Sequence, residues 1–144
     1  MAFQKMEQIK KRMPEWIASG LRRKEDIDLI EEVGKHIADA RPSNRGDGYI
    51  SGNQAVSTSQ IRIAYGEITR LKMRYDPTAM MMLRPKLAYA AARNSGDTYN
   101  TLRDIIAMGI NEVASTSHNP EQAFNNLASI FEAILAYHKA YGGK

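Results

Sequence analysis

The sequence predicts an all-α fold, a compact single-domain bundle of five or six helices. Apolar residues recur at three- and four-residue steps over most of the chain. Proline, asparagine and glycine break that pattern where helices need ends. No stretch reads as a convincing strand. The 144 residues fit one domain, 1–144, long enough to bury a core without metal or crosslinks.

The elements follow in order. Residues 2–12 predict one short helix within an N-terminal helical segment, 1–20. Pro14 suits the first turn of another short piece carrying Trp16 and Ile17. Ile27, Ile30, Val33 and Ile37 mark a helix over 25–40. It stops at Arg41-Pro42, because the residue before proline avoids the helical region. Residues 41–56 predict a long flexible loop, since three glycines, a proline and two asparagines deny it a helix. Ser57 or Thr58 caps a helix over 58–75, which Asp76-Pro77 ends. The next helix runs from 78 to Arg93, with Pro85 kinking or restarting it and Asn94-Ser95-Gly96 closing it. Residues 98–115 put Leu102, Ile105, Ile106, Gly109 and Val113 on one side. The last helix opens at Asn119-Pro120 with Glu121 in its first turn. Its stripe is Phe124, Leu127, Phe131, Ile134, Leu135 and Tyr141, before Gly142-Gly143.

Composition removes several chemistries. The chain has no cysteine, which excludes disulfides, thiolate zinc sites, iron–sulfur clusters and a thiol nucleophile. That fits a reducing cytoplasm. No apolar run reaches the roughly 18 residues of a membrane span, and the polar N-terminus is not expected to be a signal peptide. Gly46, Gly48 and Gly52 miss the dinucleotide-binding spacing and follow no strand. His36, His118 and His138 lie on different segments, with no metalloprotease or phosphate-loop motif. Asp26, Asp28, Glu31 and Glu32 sit between Lys24 and Lys35 as a solvated helix face. No residue stands out as a general base held beside a nucleophile or metal, so the chain is expected not to be an enzyme and to need no cofactor. His138 extends the apolar stripe of the last helix, as a packed or capping group or as one touching RNA. Met80, Met81 and Met82 read as core, whereas Met73 projects toward the arginine face as a candidate subunit contact.

The charge is uneven. The chain carries +4 overall, but residues 59–93 alone carry +5, against +1 for 1–58 and −2 for 94–144. Such a patch is either a solvated face or a surface for phosphate. On the 58–75 helix, with Arg62 at zero, Arg70 falls at about 80° and Arg74 at about 120°. Ile61, Tyr65, Ile68, Leu71 and Tyr75 gather on the other side, so an arginine stripe faces out with no acid in its row. Arg84 belongs to the same charge excess. Lys86, Tyr89 and Arg93 are spaced to share one face of the following helix. Cations suit phosphates and a ring suits stacking on a base or ribose, although Tyr89 could equally pack against its neighbours. Contacts of this kind position RNA without reading its sequence.

Three blocks then point to a family. Val56-Ser57-Thr58-Ser59-Gln60-Ile61-Arg62 resembles the opening of a helix in the small subunits of type III-A CRISPR–Cas complexes. Leu83-Arg84-Pro85-Lys86-Leu87-Ala88-Tyr89-Ala90-Ala91-Ala92-Arg93 resembles a second segment of theirs, with Arg84 where lysine is frequent and Ala92 where glycine is common. Phe131-Glu132-Ala133-Ile134-Leu135-Ala136-Tyr137-His138-Lys139 and Tyr141-Gly142-Gly143 resemble their ending. The blocks occur in order over residues 56–143.

The resemblance implies a non-catalytic helical subunit in antiviral defence, stacked in several copies beside a guide RNA paired with its target. The implied partners are the guide and target RNA, the backbone and large subunits, and other copies of itself. No membrane is implied, and the setting is cytoplasmic. Gln60, Arg62, Lys86, Tyr89, Arg93 and Lys139 carry over as positions facing RNA, while Arg70, Arg74 and Arg84 rest on the charge argument. The rival is a protein-bridging scaffold that touches no RNA.

Overall fold

A computed structural model describes residues 3–44, 46, 48–93, 97–116 and 119–143. Among these are six helices: α1 (Met6–Ser19), α2 (Lys24–Ile37), α3 (Thr58–Met73), α4 (Pro77–Arg93), α5 (Asp97–Ser115) and α6 (Pro120–Ala140). The expected closure at Asn94-Ser95-Gly96, and His118, lie outside the described residues.

Neither interior proline divides its helix. α1 is one helix through Pro14 rather than two pieces, because Ile9, Met13, Trp16 and Ile17 on one stripe are all buried. Burying that stripe outweighs the amide bond that proline forfeits. Pro14 is exposed, so the orphaned carbonyl one turn back faces water. α4 likewise continues through exposed Pro85, held by buried Met80, Leu83, Leu87 and Ala91. Asp76 starts this helix as well as ending the previous one: its carboxylate accepts from the Thr78 amide at 3.0 Å, and Pro77 supplies the first turn.

Two short strands stand where the sequence predicts none. Ala40–Pro42 (β1) and Tyr49–Ser51 (β2) pair antiparallel, with Arg41 opposite Ile50. Asp39 takes a left-handed conformation at φ 46°. Its carbonyl accepts from Gly52 at 2.8 Å and its carboxylate from Gln54 at 3.1 Å. These bonds close the base of the hairpin, a long-range constraint that local composition does not encode.

α5 and α6 form the centre. α1 lies across both, α2 and α3 pack mainly on α6, and α4 packs on α5. Glu132 and Phe131 of α6 meet α3 through Lys72 and Tyr65, whereas Asn126 meets the Ile17 carbonyl of α1. Residues 126 and 132 stand about 120° apart around a helix, so α1 and α3 occupy different flanks of α6. The buried residues form one cluster reaching from Ile9 to Ile134. One expected surface acid lies inside: Asp26 is only 2% exposed. Arg12 of α1 holds it with two bonds at 2.8 and 2.9 Å, which keeps its carboxyl below the ordinary range.

Candidate nucleic-acid interface

The start of α3 is built by its own sequence. The Ser57 hydroxyl accepts from the Gln60 amide at 3.2 Å, and the Gln60 side chain accepts from the Ser57 amide at 2.8 Å. This capping box satisfies two amides that a helix start leaves unpaired. Ser57, rather than Thr58, is therefore the cap, and Gln60 has a structural duty at its carbonyl oxygen.

From that start, α3 buries Ile61, Ala64, Ile68 and Leu71 and turns Arg62, Gly66 and Arg70 outward. The helix ends at Met73, and Arg74 follows in extended backbone. The wheel position assigned to Arg74 therefore does not apply, although its side chain is exposed. Nor is the arginine row free of acid. Glu67 lies 3.6 Å from Arg70 and 3.6 Å from Lys86, so one carboxylate bridges α3 and α4 and offsets part of the positive charge. At about 140° on the wheel it falls beside the expected arginine row, and its partner on α4 is non-local.

On α4, Lys86, Tyr89 and Arg93 do share an exposed face. Tyr89 is 65% exposed, and the Arg93 guanidinium carbon lies 5.6 Å from its ring centroid. The ring is thus open to solvent, with a cation held against it. The Glu67–Lys86 pair also fixes the register of the two helices. Five residues back from Glu67 is Arg62, and seven on from Lys86 is Arg93, steps of about 8 and 10 Å along each axis. Both lead toward the same end, where the Lys139 ammonium donates to the Thr58 hydroxyl at 3.1 Å. Arg62, Arg93 and Lys139 therefore share that end, with Lys86 about two turns away.

Arg84 stands apart. It lies about 180° around α4 from Arg93 and lines, with Arg103, Met81, Pro85, Ala88 and Ala107, a cleft of about 370 Å³ between α4 and α5. Arg103 lies outside the basic 59–93 stretch, and its neighbour Asp104 pairs with it at 2.8 Å. Arg62, Arg74 and Arg84 make no ion pair among the described residues.

Exposed apolar groups punctuate the same surface. Met73 is 85% and Ile63 74% exposed, and Met82 is half exposed, whereas Met80 is buried. The three consecutive methionines therefore divide between core and surface instead of all being core. His138 is packed: it is fully buried, with its Nε2 2.7 Å from the Val56 carbonyl. Burial lowers its pKa. His36 is half-buried beside Thr101 at 3.3 Å. Among the described residues, no three histidines or acids converge to hold a metal ion, and no helix is long and apolar enough to cross a membrane.

Compared with known proteins, residues 38–144 match the family model described as Csm2 Type III-A. No curated protein and no solved structure matches the chain.

Proposed function

The chain belongs to the Csm2 Type III-A family, and from that premise we propose that its α3–α4 face clamps RNA backbone without reading sequence. As a family member it is a small subunit of a type III-A CRISPR complex. The observation that carries the proposal is Tyr89, a large ring left 65% exposed between two cations, one of them over its face. Water offers such a ring little, whereas an RNA strand offers a base or ribose to stack on and phosphates on either side. Arg62, Lys86, Arg93 and Lys139 supply the nearby charge, Arg70 extends it along α3, Arg74 lies at its margin, and Arg84 faces the separate α4–α5 cleft. Gln60 serves mainly by holding the helix start.

The ligands in this proposal are the guide RNA and its target, in a cytoplasmic antiviral complex. The subunit itself is non-catalytic and uses no cofactor. Backbone subunits, the large subunit and further copies surround it. Ile63 and Met73, exposed beside the arginines, favour a protein contact on the outer crest of α3. A purely protein-bridging scaffold is the second reading.

The two readings separate by salt dependence. In the reconstituted complex, changing Arg62, Lys86 and Arg93 together to alanine is expected to weaken target-RNA binding. The log–log salt slope should become shallower by about 0.7–0.9 for each phosphate no longer neutralised. A complex that assembles and keeps its full slope would support the scaffold instead.

A further inference from the structure

The loop before α3 is tied down from the opposite end of the chain. Val56 is 1% exposed, and its amide donates to the Ile37 carbonyl at 2.8 Å. Its carbonyl lies just before the helix, so the intrahelical bonds do not use it. Its partner is His138 Nε2 at 2.7 Å, across 82 residues of sequence. A carbonyl can only accept, so the imidazole proton belongs on Nε2. The adjacent Lys139 ammonium reaches the Thr58 hydroxyl in the first turn of the same helix.

The C-terminal turn then seals this joint. The Gly143 amide donates to the His138 carbonyl at 2.8 Å, and Gly143 lies so close to the imidazole that an added methyl would strike the ring. Gly142 sits at φ 92°, where a Cβ would meet the Tyr49 carbonyl at 2.7 Å. Its own carbonyl accepts from Ser51 at 2.9 Å. Hairpin, C-terminal turn and α6 are thus linked, through His138, to the residue preceding the Ser57 cap.

We propose that His138 is a positioning residue for RNA binding: its bond to the Val56 carbonyl fixes where α3 begins and so where Arg62 points. Arg62 lies one turn past the cap, so a shift of that first turn moves its guanidinium directly. Without a donor, the buried Val56 carbonyl loses its partner and the loop must move to find water. This inference rests on the RNA-clamp proposal above.

The test uses the reconstituted complex with H138M, which fills the site without a donor, H138Q, which restores an amide N–H, and R62A. H138M is expected to give faster amide exchange over 57–61. Its target-binding salt slope should be shallower by about 0.7–0.9, the equivalent of one phosphate. H138Q should return both toward native, and H138M combined with R62A should lose no more than R62A alone. Native binding by H138M, or losses that add to those of R62A, would overturn the positioning role and leave the clamp standing. A native slope for both R62A and the triple alanine variant would overturn the clamp, and the inference with it. Were H138M unable to assemble, H138Q decides alone: a native slope supports the role, and a slope as shallow as that of R62A refutes it.

Discussion

Replacing Gly34 with alanine should force apart two helices that meet through backbone. A methyl on Gly34 of α2 would collide with the Tyr137 Cβ of α6, and would lie 2.9 Å from the His138 amide nitrogen and 3.0 Å from the Tyr137 carbonyl carbon. None of these atoms can rotate away, so relief requires the helices to separate. Overpacking costs about 1–3 kcal/mol, and contact with backbone puts this site near the top of that range. The better helix propensity of alanine returns about 1 kcal/mol. The net loss is about 2 kcal/mol, or roughly 7 °C in Tm for a chain of this size. Gly109 is the control: the atoms nearest a methyl there belong to the Leu127 side chain rather than to backbone, so Gly109→Ala should cost less. Gly66 is the opposite case, with nothing within 4 Å of its added methyl, and alanine there should stabilise by about 0.5–1 kcal/mol. Thermal unfolding of the three variants measures the order. A Gly34→Ala variant at least as stable as the native protein would refute the close-packed α2–α6 junction.

Glu67→Gln removes the carboxylate shared by Arg70 and Lys86; target binding should tighten and its salt slope steepen, measured by titration at several salt concentrations, and a shallower slope would count against this face. Ser57→Ala should cost about 1 kcal/mol in thermal unfolding, whereas Ser57→Gly should cost only a few tenths; equal losses would argue against the side-chain cap. His138 and His36 both have pKa values lowered by burial, below an unfolded value of about 6.5. The unfolded chain then binds more protons, so stability should fall as pH drops below about 6.5 and level off once the folded-state values are passed. Denaturant midpoints across pH 5–8 check this, and H138Q should flatten the slope in proportion to that residue's share.

The helices were legible because their signals are local. The Asn119 cap, which accepts from the Gln122 amide at 3.2 Å, and the stripe from Phe124 to Ile134 need only neighbours a turn or two away. Several misplaced features depend on partners distant in sequence, although the end of α3 before Arg74 and the Glu67–Arg70 pair are local. Pro14 reads as a break until the burial of Trp16 and Ile17 against α5 and α6 is known. Asp26 reads as surface until Arg12 is brought beside it, and the hairpin is closed by Asp39. At the candidate interface the shared face of Lys86, Tyr89 and Arg93 followed from spacing. The Glu67 bridge and the isolation of Arg84 did not, since each depends on which helix lies alongside. A signal for Gly34 was present, a glycine on an otherwise apolar stripe, where helices approach closely.

The most direct measurement is photo-crosslinking of the RNA-loaded complex, with the crosslinked peptides of this subunit identified by mass spectrometry. The clamp predicts crosslinks on the α4 peptide containing Tyr89 and on the first turns of α3 around Arg62. Crosslinks confined to α1 or α2, with none on α3 or α4, would contradict it.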